Sequence, residues 1–224
     1  MKLDRWRSPL ILSLPLSFVC SLALAAAPAA CAQARQPNNE FGFWGAYSFN
    51  SPDLYGSQTH QQFGVAAFRY GRLIHDSPMI AIEYTIDVEP VEIARQFKYI
   101  PCVVESGGTE VVSDCPNGDE WVYGGGLSPI GWKFNFLPRR RWQPFFGTTG
   151  GFIGSVRPIP KDVPKETQFN FTFDFAFGVE HFNRARTRAF TIAYKFQHIS
   201  NASRSSVNPG VDLSMVTLGY SFFK

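Results

Sequence analysis

Apolar and polar residues alternate along this chain with a period of two, in run after run. Phe169, Phe171, Phe173, Phe175, Phe177 and Val179 are interleaved with Asn170, Thr172, Asp174, Ala176, Gly178 and Glu180. Ile80, Ile82, Tyr84, Ile86 and Val88 take turns with Ala81, Glu83, Thr85 and Asp87, and Ile130, Trp132, Phe134 and Phe136 with Gly131, Lys133 and Asn135. Phe190, Ile192, Tyr194 and Phe196 do the same with Thr191, Ala193, Lys195 and Gln197. Successive side chains of a strand point to opposite faces, so each run is a strand with one apolar and one polar face. No segment keeps a helical period.

With the weaker runs added, eight strands are predicted, at about 40–49, 61–73, 78–89, 119–137, 141–154, 167–182, 186–199 and 211–223. The connections alternate. Residues 50–60, 90–118, 155–166 and 200–210 are long, whereas 74–77, 138–140 and 183–185 are short. An even strand count with short turns at one end and long loops at the other is the pattern of an up-and-down antiparallel transmembrane β-barrel, with both termini at the short-turn, periplasmic end. Alternation alone does not fix which face points outward, because a soluble barrel would turn its apolar set inward. Composition decides it. The apolar set, drawn from a chain that is 16% aromatic with 22 Phe, is too bulky to fill an eight-stranded interior. The polar set mixes small residues with Glu83, Asp87, Lys133, Asp174, Glu180 and Lys195, which suits a narrow lumen packed by ion pairs. The fold class expected is all-β, an eight-stranded outer-membrane barrel over residues 35–224, with an external loop at 90–118.

The N-terminus reads as a signal peptide over residues 1–34. Lys2, Arg5 and Arg7 precede an apolar stretch from Leu10 to Ala27, and Ala32-Gln33-Ala34 supplies an A-x-A cleavage site. Removing that segment leaves 18 basic against 17 acidic groups. A near-neutral domain argues against nucleic acid as a partner, which requires a clear basic excess. No remaining apolar run is long enough to span a bilayer as a helix. Cys102 and Cys115 are the two cysteines left in the mature chain. In an exported protein such a pair, flanking a polar loop, reads as a disulfide, and its closure is worth about 3 kcal/mol on the chain-entropy account. No metal-ligand cluster accompanies them.

Candidate chemistry sits where the seventh strand ends. His198 and Ser200 continue the lipid-facing parity of Phe190 to Phe196 into a polar loop, and Asp212 shares the parity of Val216, Leu218 and Tyr220 on the eighth strand. Pairing of the two strands as a hairpin places Asp212 beside His198 on the outer surface, at the external edge of the membrane. There the solvent changes from acyl chain to headgroup. A serine hydroxyl next to an imidazole, itself oriented by a carboxylate, is the arrangement of a serine hydrolase. The same residue types are also ordinary at a membrane interface, and spacing alone leaves both readings open. No G-x-S-x-G, H-E-x-x-H, C-x-x-C or phosphate-loop motif is present.

His198-Ile199-Ser200-Asn201 followed by Asn208-Pro209-Gly210-Val211-Asp212 resembles the signature of the PagL family, the outer-membrane lipid A 3-O-deacylases. The resemblance implies an eight-stranded barrel whose lipid-facing serine site removes the ester-linked 3-hydroxyacyl chain at the 3-position of lipid A. On it, Ser200 is the nucleophile and His198 the general base. Asp212 stands where the family's best-known members have glutamate. Asn208, with the backbone N–H of Gly210, is the expected oxyanion hole, and Asn201 supports the loop. Tyr194, Phe196, Val216 and Leu218 are expected to line an acyl groove. Arg204 is the basic residue nearest the motif for a lipid A phosphate. The implied chemistry calls for neither metal nor organic cofactor, and lipid A (lipopolysaccharide) is the implied partner; the oligomeric state stays open. The competing reading is a non-enzymatic small outer-membrane barrel whose long external loops bind a partner.

Overall fold

The computed structural model describes residues 37–57, 61–159, 167–204, 208 and 210–224. The expected signal peptide and its cleavage site lie outside the described residues. Eight strands follow one another: β1 (Asn39–Asn50), β2 (Gln62–Asp76), β3 (Ile80–Ser106), β4 (Thr109–Phe136), β5 (Trp142–Ser155), β6 (Phe169–Phe182), β7 (Arg188–Ser200) and β8 (Val211–Phe223). Each pairs antiparallel with its neighbours in sequence, and β8 returns to β1 to close the barrel. The seam ends in reciprocal 2.9 Å hydrogen bonds between the backbones of Asn39 and Lys224. All-β, closed and up-and-down, the fold is the one the period-two pattern predicts.

The parity is also as expected. Phe173, Phe177, Ile192, Val216 and Leu218 lie 50–55% exposed on the outer wall, whereas Glu83, Asp87, Lys133, Asp174, Glu180 and Lys195 are buried inside. An apolar belt on a closed ladder is stable only against lipid, where every peptide group must be satisfied within the sheet. The interior is layered. Lys133 Nζ meets Glu40 at 2.6 Å, Glu180 at 2.9 Å and Glu83 at 3.2 Å. Arg69 holds Asp87 by two bonds of 2.8 and 2.7 Å, and Lys195 holds Asp174 at 2.9 Å. Between these groups a cavity of about 40 Å³ remains, room for a few waters at most. Toward the external end Trp44, Phe63, Val65, Ile153, Ile199, Val211, Leu213 and Met215 form one buried apolar cluster, with Glu89 and Glu92 buried beside it. The pattern of lumen charges did not announce this plug.

The segment 90–118, expected as an external loop, is mostly strand. β3 and β4 run on as a hairpin in unbroken antiparallel register from Tyr99↔Pro116 to Ser106↔Thr109. Its turn is Gly107-Gly108, both at positive φ (61° and 80°), the two-residue turn that matches strand twist and favours glycine. Two features extend the strands. Facing valines, Val103↔Val112 and Val104↔Val111, suit a pleated surface. The Cys102–Cys115 disulfide, with Cα atoms 5.8 Å apart, ties the strands together. Pro90 and Pro129 interrupt the alternation that would have revealed them. Both fall at breaks in the β3–β4 register, between Glu89 and Glu92 and between Leu127 and Ile130 of the adjoining ladders. There a bulge reverses the parity, so that odd residues through Glu89 and even residues from Glu92 face inward.

Lys133→Ala leaves three buried carboxylates around a missing cation. Removing one member of a buried ionic cluster costs about 3–5 kcal/mol, so the urea midpoint for unfolding the barrel from lipid vesicles is expected to fall by that equivalent.

Candidate active site

Residue-by-residue pairing of β7 with β8 brings the sequence-predicted groups together. Ile199 faces Val211 across the ladder, and both are buried in the apolar plug. The neighbouring pair, His198 and Asp212, is therefore forced onto the outer wall. His198 Nδ1 and Asp212 Oδ1 are 2.6 Å apart. A bond there leaves Nε2 as the ring atom available to a nucleophile's proton.

One expectation needs correcting. Asp212 has outward parity, yet it is fully buried, while His198 keeps 23% side-chain exposure. The cover is residues 51–56, which follow β1 and fold over the outer wall. The backbone N–H groups of Leu54, Tyr55 and Gly56 all donate to Asp212 Oδ2, at 3.0, 2.5 and 3.0 Å. Ser51 Oγ donates to the Asp212 carbonyl at 2.6 Å. Tyr55 lies edge-on to both His198 and Phe196, each ring centroid 6.2 Å away. Phe196 is accordingly only 3% exposed, roofed by Tyr55 and stacked on Phe175 at 5.1 Å. Of the four expected groove residues, Tyr194, Val216 and Leu218 remain open on the lipid-facing wall, about half exposed, and Phe196 is the floor beneath the tyrosine. Nothing in the period-two pattern marks Ser51 or residues 54–56. Their one local sign is two large side chains and a glycine, Leu54-Tyr55-Gly56, inside a polar connection.

The remaining predicted residues surround the pair. Ser200 follows His198 on the same face, opposite Phe171 of β6. Among the described residues no hydrogen bond joins it to the imidazole. Asn208 Oδ1 accepts the backbone N–H of Asn201 at 3.1 Å, so the NH₂ end of that amide is turned away from the bond. Asn201 itself is buried. Gly210 has φ of 58° and presses against the ring; a Cβ there would lie 2.9 Å from His198 Cε1 and 3.5 Å from Nε2. Position 210 therefore favours glycine twice over, by backbone conformation and by space. Arg204 spreads its guanidinium over Phe169 and Phe171, 5.4 and 6.0 Å from the ring centroids. Among the described residues no group of acidic, histidine or cysteine side chains is arranged to hold a metal.

A closed barrel with an apolar belt and a polar cluster at its external rim defines an outer-membrane β-barrel. The sequence profile of the lipid A 3-O-deacylase (PagL) family matches residues 106–221, more than half of the chain. The chain belongs to that family, and so stands among the outer-membrane lipid A deacylases. Its structure is similar to the crystal structure of the outer membrane enzyme PagL, at 11% identity and TM-score 0.53, covering 81% of this chain and 98% of that one. Neisserial surface protein A (NspA) aligns with 12% identity and TM-score 0.48 over 83% of this chain and 97% of its own. The outer membrane protein OprG from Pseudomonas aeruginosa aligns with 12% identity and TM-score 0.42 over 85% and 99%. At 11% identity the likeness to the PagL structure is one of fold. No curated protein matches the chain in sequence.

With Tyr55 as the roof over His198, Tyr55→Ala should open the imidazole. Carbethoxylation of His198 by diethyl pyrocarbonate, followed by peptide mass spectrometry, is expected to run several-fold faster in the variant.

Proposed function

We propose that this chain is a serine esterase that removes the 3-hydroxyacyl chain from the 3-position of lipid A, with Ser200, His198 and Asp212 as its catalytic groups. The observation that carries the reading is the 2.6 Å His198–Asp212 pair on the outer wall, where the lipid-facing strands β7 and β8 meet their connecting loop. The match to the lipid A 3-O-deacylase family supplies the substrate class.

In this reading Ser200 Oγ attacks the ester carbonyl carbon while its proton passes to His198 Nε2. Asp212 holds Nδ1–H and stabilises the imidazolium that forms. Two residues along a strand, Cα atoms are roughly 6.6 Å apart on the same face, a separation that two side chains can bridge. Hydrogen bonds of this kind are commonly loose without substrate and tighten around it. The tetrahedral oxyanion is met by the Asn208 NH₂ and the Gly210 N–H. Acceptance of the Asn201 N–H by Asn208 Oδ1 supports the first assignment, since it points the donor end elsewhere. The position of Gly210 against the Nε2 edge supports the second. Collapse expels the sugar oxygen, which takes the proton from His198. Water then enters by the same route and releases the 3-hydroxy fatty acid from Ser200. The chemistry runs on side chains and backbone amides alone. Tyr194, Val216 and Leu218 would bed the acyl chain beside the Tyr55–Phe196 contact, and the guanidinium of Arg204 lies over Phe171, the cross-strand partner of Ser200, within reach of an anionic headgroup.

Mass spectrometry of lipid A from cells expressing wild type or Ser200→Ala tests the reading. Loss of one 3-hydroxyacyl group with the wild type alone is the expected outcome. An unchanged profile, with the barrel folded in the outer membrane, would favour the partner-binding barrel instead. Asn208→Ala is expected to lower kcat on purified lipid A by about 10²–10³-fold, the usual effect of deleting one oxyanion donor.

A further inference from the structure

The β1–β2 connection is the part of the site that neither the alternation nor the motif contains. We infer that Ser51 and residues 54–56 are a positioning element for the catalytic pair, with Gly56 as the residue that sets its height: three amides fix the Asp212 carboxylate, and Gly56 seats the loop on Gly210. The inference rests on the hydrolase reading for its effect on rate, but the geometry it describes belongs to the His198–Asp212 pair in any case.

Saturation of the carboxylate is the first argument. A carboxylate accepts about four hydrogen bonds. Asp212 spends Oδ1 on His198 and Oδ2 on the three successive N–H groups of Leu54, Tyr55 and Gly56. Successive amides converge on one oxygen only when the backbone curls into an anion-holding nest. With both oxygens tied and the residue fully buried, the carboxylate has one orientation. The Ser51 bond to the carbonyl of the same residue fixes its backbone too.

Reach is the second. Aspartate carries its carboxylate one methylene closer to the strand than glutamate does, and has one fewer torsion with which to follow a moving ring. The short side chain meets His198 because the two are direct cross-strand partners, and the nest holds it at that height. Glutamate here would push the carboxylate outward by about 1.5 Å, one C–C bond, into the space of the three amides.

The third is the contact beneath the loop. A Cβ on Gly56 would lie 2.6 Å from the carbonyl carbon and oxygen of Gly210 and 2.8 Å from Val211 N. All are backbone atoms that cannot rotate aside. Alanine would therefore lift the loop and stretch the amide bonds to Asp212, or drive Gly210 toward the imidazole. A loop that merely shielded the wall from lipid would need neither the nest nor this contact.

The test uses full-length protein refolded in detergent micelles, comparing wild type, Gly56→Ala and, as a control in the same loop, Asp53→Ala, whose side chain is exposed. Two readouts are taken: the low-field proton resonance of the histidine Nδ1–H held by a carboxylate, assigned with His198→Gln, and steady-state lipid A deacylation. Gly56→Ala is expected to lose or broaden the resonance and to lower kcat by about 10²-fold, the usual effect of a 1 Å misplacement, with KM unchanged; Asp53→Ala should match wild type in both. A folded Gly56→Ala barrel with the wild-type resonance and kcat overturns the inference. Should that variant not refold, Asp212→Glu asks the same question, with loss of the resonance expected and its retention at wild-type kcat overturning the positioning role. If the wild type shows the resonance but no deacylation, the proposed function fails, and the resonance in Gly56→Ala still decides the positioning claim.

Discussion

A peptide group facing hydrocarbon has no water to bond, so a sheet in lipid must close on itself. Closure is the constraint from which the rest of this structure follows. The ladder from β1 round to β8 fixes the register of every strand, and register fixes parity. Parity puts Phe173, Ile192 and Leu218 in lipid and Lys133, Asp87 and Glu180 in the lumen. A slip of one residue at any seam would exchange the two sets, with charges in hydrocarbon and phenylalanines in a lumen too narrow for them.

The lumen does more than satisfy charges. Its external half holds an apolar cluster beside the buried Glu89 and Glu92, and Ile199 and Val211 are buried there as a cross-strand pair. Burial of such side chains stabilises by about 1.5–3 kcal/mol each, and that preference anchors the alternate positions inward. His198 and Asp212 have no freedom to choose the other face. The geometry of the candidate site is thus set from behind, by packing inside the barrel, and from in front, by the β1–β2 connection lying over the wall.

Period-two alternation made the strand number, closure and face assignments legible, because each residue reports its face directly. The pairing of His198 with Asp212, and the outward parity of Ser200, were legible for the same reason: polar residues on a lipid-facing parity stand out. Two things were not. Pro90 and Pro129 sit at bulges where parity reverses, so the alternation through 90–118 dissolves on paper while the ladder continues in space. The burial of Asp212 was hidden too, since parity says which way a side chain points and nothing about what folds over it. Residues 54 and 212 are 158 positions apart, and the contact runs through backbone N–H groups that every residue but proline possesses. A motif reports side chains; a nest of amides leaves no such trace.

Placing a carboxylate on a wall that faces lipid raises an electrostatic question, which the loop resolves. A carboxylate exposed to hydrocarbon would be driven to neutralise, losing its hold on the imidazole. Three amide donors and complete burial beneath residues 51–56 substitute fixed dipoles for water around Asp212. The imidazole keeps an opening, bordered by Tyr55 and Gly210. In a low-dielectric setting a preorganised carboxylate–imidazole pair interacts more strongly than it would in water. The same cover that makes the aspartate compatible with the membrane therefore also strengthens its grip on the histidine. An open pair on a bare strand would have to choose between the two.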